Sequence, residues 1–267
     1  MSPSVLTLNV SRPPVARARQ LLEYLWHREE EILVLTEISR SPGSDLIASV
    51  CRGAGFAVHS SLADEHGRPY AGIDRSALGV LAIGRGVALD RVTNLGPPDL
   101  LPGRILTIDL AEGPPLRIIG TYGAASDPVR YASSVQRQRK REWLLAFCRW
   151  LADLEPAPSL LVGDLNIVAS GRAGTLPYVL AEERTAYELI TRTLGWRDLY
   201  ADQHADSAAA HLPTWVDHSA VGCRYDYVLA GPGEQREWSV AIDETPRLGG
   251  LTDHAAVVAR PVPAERA

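Results

Sequence analysis

The stretch Leu160-Leu161-Val162-Gly163-Asp164-Leu165-Asn166-Ile167-Val168 decides how the rest of the chain is read. A short apolar run bounded by turn formers is what a strand covered on both faces requires. It runs directly into two polar side chains, Asp164 and Asn166, which on an extended chain point to the same side. A carboxylate beside a carboxamide can orient a water, ligate a hard cation or grip a phosphate oxygen. The same residues could instead close a turn through an Asx hydrogen bond. The choice depends on whether other strands end in the same way.

They do. Val5 to Val10 reads as a strand ending in Asn9, and Arg12-Pro13-Pro14 separates it from a helix over Val15 to Arg28. Ile32 to Leu35 is a second apolar run, delivering Thr36 and Glu37 at its end, before a helix over Asp45 to Ala54 and a short strand near Phe56 to His59. Residues 62–76 read as an exposed loop of the kind that borders a site. Ala77 to Ile83, Arg104 to Leu110 and Leu116 to Tyr122 are three strands with short links, for which antiparallel pairing is expected, the last placing Tyr122 at a strand end. From Val129 to Leu154 the residues Trp143, Leu144, Phe147, Trp150, Leu151 and Leu154 recur at helical spacing. Arg130, Arg137, Arg139, Lys140 and Arg141 cluster in the first half of that helix, as a solvated face or a phosphate contact. After the Asp164 strand come a helix over Glu182 to Leu194, the strand Arg224 to Leu229 with Asp226 in an apolar and aromatic setting, a strand over Trp238 to Ile242, and Asp253-His254 opening a last strand.

The bulk numbers narrow the options. The chain of 267 residues, with 46% hydrophobic and 22% charged residues, is long enough for one large core, and residues 1–267 are read as a single domain. With 27 Lys and Arg against 32 Asp and Glu, the net charge of −5 argues against binding nucleic acid through bulk positive potential, though not against a local basic face. Cys51, Cys148 and Cys223 are far apart and lack CxxC spacing, which points to reduced thiols in the cytoplasm rather than to disulfides or zinc. No run approaches a membrane span, and no signal for export is read at Met1 to Val10. Neither a Gly-rich phosphate loop nor a GxSxG elbow occurs, and His204, His211 and His218 are spaced unlike zinc ligands and read as surface residues.

Taken in order, Leu6-Thr7-Leu8-Asn9-Val10, Leu33-Val34-Leu35-Thr36-Glu37, Gly120-Thr121-Tyr122, Gly163-Asp164-Leu165-Asn166, Pro213-Thr214-Trp215, Arg224-Tyr225-Asp226-Tyr227 and Thr252-Asp253-His254-Ala255 resemble the endonuclease/exonuclease/phosphatase superfamily, most of all its exonuclease III type AP endonucleases. The resemblance implies an α/β (α+β) fold, a four-layer α/β/β/α sandwich of two mixed sheets flanked by helices, with the site at one end of the sheets. It assigns Glu37 and Asn9 to a Mg²⁺ or Mn²⁺ ion, with Asp253 a further contributor. Asp164 is then the base acting on water, Asn166 a donor to the phosphate, His254 a phosphate contact oriented by Asp226, and Tyr122 a donor to the phosphate or leaving group.

Chemistry supports the grouping. Hydrolysing a phosphoester at neutral pH needs a cation for the phosphoryl oxygens, a group that generates hydroxide, and donors for developing charge. The expected activity is that of a metal-dependent DNA endonuclease or exonuclease, monomeric, with nucleic acid as substrate, DNA ahead of RNA, and no membrane partner. The alternatives are a phosphatase or phosphodiesterase acting on a small molecule or lipid headgroup, and a catalytically silent binding module. Departures from the AP endonuclease pattern bear on the substrate: Leu8 stands where Trp is usual, Ser11 and Arg12 replace an acidic or glycine continuation, Thr36 and Ile38-Ser39 flank Glu37, and Gly123-Ala124-Ala125 follows Tyr122.

Overall fold

Alternation along the apolar strands sends neighbouring side chains into different cores, and that alternation builds the layers. The computed structural model describes residues 2–64, 66–126, 133–169, 179–205, 212–217 and 221–263. In β1 (Val5–Asn9) Val5 enters one core while Leu6 and Leu8 enter another. In β2 (Ile32–Ser39) Ile32 and Val34 oppose Leu33 and Leu35 in the same manner. With β3 (Ala57–Ser60), β4 (Leu78–Gly84), β13 (Trp238–Asp243) and β14 (Ala256–Pro261) these form a six-stranded sheet in the order β13-β14-β1-β2-β4-β3. The second six-stranded sheet has the order β5-β6-β7-β8-β12-β9, from β5 (Leu89–Arg91), β6 (Ile105–Leu110), β7 (Arg117–Thr121), β8 (Ser159–Asp164), β9 (Arg197–Asp198) and β12 (Asp226–Ala230). β10 (Trp215–Val216) and β11 (Gly222–Cys223) form a separate short hairpin.

Val5, Val34, Val162 and Val228 meet in the core between the sheets. Helices α1 (Val15–Trp26) and α2 (Pro42–Gly53) cover the first sheet through Leu21, Leu25 and Ile47. Helix α3 (Ser133–Asp153) covers the second through Trp143, Phe147 and Leu151, joined by α4 (Ala181–Glu188) and the π-helical turn Leu189–Thr193. The result is the expected four-layer sandwich. Each sheet holds one parallel pair, β1 with β2 and β7 with β8, and every other pairing within the two sheets is antiparallel. α1 and α3 are the crossovers that parallel pairs need.

Three expectations are corrected. The antiparallel trio is half realised: β6 and β7 pair, but β4 lies in the other sheet between β2 and β3. Val80 and Ala82 of β4 face the inter-sheet core while Leu81 and Ile83 face the helices, so β4 is apolar on both sides and fits a central position in either sheet. The second helix begins at Pro42, not Asp45, because Ser41 caps it by accepting from the Ser44 amide and proline suits the first turn. The second strand continues past Glu37 to Ser39, with a register shift between Thr36 and Ile38 and Glu37 at φ 56°, a bulge that turns the Glu37 side chain out of the ladder.

Two glycines permit close approaches, Gly120 between the sheets and Gly163 between neighbouring strands of the second sheet. A Cβ on Gly120 would sit 2.8 Å from Val80 and 2.9 Å from Val34 of the opposite sheet. A Cβ on Gly163, at φ 130°, would sit 2.1 Å from the Thr121 carbonyl oxygen. Among the described residues no helix is long and apolar enough to cross a membrane.

Candidate active site

The ends of β1 and β8 carry Asn9 and Asp164, and the two side chains meet: Asn9 Nδ2 donates to Asp164 Oδ2 at 2.8 Å, both groups being buried. Asn9 Oδ1 accepts from the Ser11 amide at 2.8 Å and keeps one lone pair. Asp164 Oδ1 accepts from the Asn166 amide at 2.9 Å, and Asn166 has φ 50°. Asn166 is thus not in extended continuation of Asp164, as its spacing suggested. The Asx turn and the site, which the sequence offered as alternatives, are one structure. The Asn166 carboxamide donates to the Gly123 carbonyl at 3.2 Å.

The β12 register puts Asp226 directly opposite Asp164. Asp226 Oδ2 lies 2.7 Å from Nδ1 of His254, a residue that leads into β14. Thr214 Oγ1 accepts from the Tyr225 and Asp226 amides at 3.0 and 3.1 Å, and Trp215 bridges to His254, so the Pro213-Thr214-Trp215 segment fixes both. Thr252 Oγ1 donates to the Asn9 carbonyl at 2.8 Å and holds the Asp253-His254 segment against β1. Asp253 Oδ2 accepts from Trp215 Nε1 at 3.0 Å.

These groups open on a cleft of about 450 Å³ whose wall includes Glu37, Tyr122, Asp164, Asn166, Asp253 and His254. Asn9 and Asp226 lie beneath it as the buried supports of Asp164 and His254. Glu37 makes no bond to this buried network; its Oε1 pairs with Arg12 Nε at 3.0 Å.

Burial pushes the Asp164 carboxyl up to about 7, with the Asp226 charge reinforcing the shift and His254 opposing it. Burial pulls His254 down, but the Asp226 charge and hydrogen bond outweigh it and raise the imidazole to about 10. Burial and the charges of Glu37 and Asp164 push the Tyr122 hydroxyl well above its ordinary value, so it remains a protonated donor. Burial also raises Asp253, but the His254 charge and the Trp215 bond prevail and leave it below its usual range.

Asp164, Asp226 and His254 bring ligating atoms within 4.8 Å of one another, a set that differs from Glu37, Asn9 and Asp253. The 2.7 Å separation of His254 and Asp226 is a hydrogen bond and leaves no room for a cation between them. Glu37 and Asp253 present further carboxylates at the cleft wall, hard oxygens of the kind a divalent cation takes, and Asp226 Oδ1 is buried with no hydrogen-bond partner.

Sequence reasoning missed two contributors. Arg104 donates to the Tyr122 and Gly123 carbonyls at 3.1 and 2.6 Å, its guanidinium lies 4.5 Å from the centre of the Tyr122 ring, and it lines the cleft. Lys140, read as part of a solvated or phosphate-facing set, is 1% exposed. It pairs with buried Glu183 at 2.8 Å and donates to the Asn166 carbonyl at 2.5 Å. The signal was present: Lys140 precedes Trp143, Leu144 and Phe147 by helical spacings and shares their inward stripe. Lys140→Ala would strand the Glu183 charge and should cost about 3–5 kcal/mol in urea unfolding. A loss below about 1 kcal/mol would mean that the pair is solvated.

His204 is partly exposed, with its ring centroid 4.5 Å from that of Tyr200. His211, His218, Val129 and Arg130 lie outside the described residues.

No protein-family model matches the chain, and no curated protein matches it in sequence. Among solved structures it is similar to a 3′ phosphatase from Neisseria bound to a product DNA hairpin, at 19% identity over 98% of this chain and 100% of that one, with a TM-score of 0.74. It is similar also to a 3′-5′ exonuclease from Neisseria meningitidis, at 21% identity over 97% and 99% of the two chains, with a TM-score of 0.72. An AP endonuclease from Leishmania major matches at 15% identity over 98% and 88%, with a TM-score of 0.67. The two mixed sheets between helical layers, matched over nearly the whole length of each chain, are the endonuclease/exonuclease/phosphatase fold.

Proposed function

We propose that this chain is a divalent-metal-dependent phosphodiester hydrolase acting on DNA. The observation that carries the reading is the buried Asn9, Asp164, Asp226 and His254 network opening on a cleft walled by Glu37, Tyr122, Asn166 and Asp253. The similar structures described as a DNA-bound 3′ phosphatase, an exonuclease and an AP endonuclease support the choice of DNA.

In this reading Asp164, clamped by Asn9 and by the Asn166 amide, accepts a proton from the attacking water. The water oxygen bonds to phosphorus as the bond to the leaving oxygen breaks. His254, held cationic by Asp226, donates from its other ring nitrogen to a phosphoryl oxygen. Asn166 and the protonated Tyr122 hydroxyl are further donors to the phosphate or leaving group. Glu37 and Asp253, with the free lone pair of Asn9, would hold Mg²⁺ or Mn²⁺. When bound, that cation supplies charge neutralisation at the phosphoryl oxygens. The same proposal takes residues 1–267 as one domain, because both sheets contribute to one cleft, and the chain as a monomer. Free, buried Cys51, Cys148 and Cys223 support a cytoplasmic setting.

A second reading, hydrolysis of a small phosphoester, is favoured by the net charge of −5 and by Asp74 at the cleft wall. A panel of abasic duplex, plain duplex, 3′-phosphorylated DNA, single-stranded DNA, RNA and small phosphate esters, each with Mg²⁺ and with EDTA, tests both. Metal-dependent cleavage of a DNA substrate is expected. Turnover confined to small esters would replace the DNA reading, and chelator-resistant hydrolysis would overturn the metal-dependent one.

A further inference from the structure

The loop after β1 and the bulge of β2 are locked together: the Arg12 amide donates to the Glu37 carbonyl at 3.1 Å. Ser11, Arg12 and Glu37 all take left-handed backbone conformations, with φ of 50°, 46° and 56°. Each is costly for a residue with a side chain. Together they set the Arg12 guanidinium on the Glu37 carboxylate, Nε to Oε1 at 3.0 Å, at the cleft wall. The Glu37 side chain is 13% exposed and the Arg12 side chain 41%. Among the described residues the guanidinium has no other hydrogen-bond or ion-pair partner.

We propose that Arg12 is the internal counter-ion of Glu37, and that a divalent cation binds by displacing its guanidinium. The inference rests on the reading of Glu37 as a cation ligand. A guanidinium and a divalent cation cannot share one carboxylate without strong repulsion, and a charge a few ångströms away lowers affinity even through a screened dielectric. Pro13 and Pro14 stiffen the following backbone, so release falls to the Arg12 side chain, whose exposure leaves it room to turn into solvent. The chain thereby holds its carboxylate neutralised when metal is scarce and binds metal less tightly than its oxygen ligands alone would allow.

The test is calorimetric titration of Mn²⁺ into metal-stripped full-length protein, comparing the parent with Arg12→Gly, Arg12→Gln and Glu37→Gln. Glycine suits the left-handed backbone and glutamine retains a side chain, so agreement between them separates charge from fold. Both Arg12 variants should bind Mn²⁺ roughly tenfold or more tightly than the parent, while Glu37→Gln binds more weakly. Unchanged or weaker affinity in both Arg12 variants, with binding still lost in Glu37→Gln, would overturn the counter-ion role and leave Glu37 as a ligand. Parental affinity in Glu37→Gln would remove Glu37 as a ligand, and the inference with it.

Discussion

Asp164→Asn should lower turnover by roughly 10²- to 10⁴-fold on whichever substrate the parent hydrolyses, the span attributed to general-base catalysis. The amide is nearly isosteric but cannot take a proton from water. The carboxyl held at about 7 by burial and by Asp226 is suited to exchange protons near neutrality. The structural cost is small but not zero: the carboxylate serves two donors, Asn9 Nδ2 and the Asn166 amide, through different oxygens, and asparagine offers one acceptor. Opposing this cost, the substitution removes a charge facing Asp226. The variant should therefore keep its near-UV circular dichroism and a cooperative melt. Turnover within tenfold of the parent would rule Asp164 out as the base.

Asp226→Asn should have an effect of similar size, with a different pH signature. In the parent, Asp226 overrides the burial that would otherwise depress His254, and the imidazole stays cationic to about pH 10. Without that carboxylate the burial remains and only the weaker pull of Asp164 and Asp253 opposes it, so the His254 value falls well below about 10. The alkaline limb of the pH-rate profile should shift to lower pH, leaving the variant hundreds-fold less active near pH 8 and partly recovered near pH 6. An alkaline limb at its parental position would mean that His254 does not act as the cation.

The strand ends were legible because burial and chemistry make opposite demands there. Leu160 to Val162 must be apolar, and a carboxylate placed immediately after them stands out. Asn9 and Tyr122 were found in the same way, Asp226 by its apolar and aromatic setting within a strand, and the structure gathers all of them at one end of the sandwich. The placement of β4 was hidden, since a strand apolar on both faces fits either sheet. The Glu37 bulge was hidden too: it inserts a residue without altering the apolar pattern around it. Lys140 was obscured by the arginines beside it, which share its charge but not its face of the helix. Arg104, read only as the first residue of a strand, carried no signal that set it at the cleft.

The placement of the two orienting hydrogen bonds has a wider consequence. Asn9 belongs to the first sheet and Asp164 to the second; His254 leads into the first sheet and Asp226 starts a strand of the second. Neither sheet holds a complete reacting group and its support, so the site exists only where the two halves dock. The strands of the second sheet all fall between Leu89 and Ala230, while those of the first come from both ends of the chain. A ribosome must therefore deliver β14 before the seam can close, and a nascent chain lacks the paired Asn9–Asp164 and Asp226–His254 network until that last strand docks.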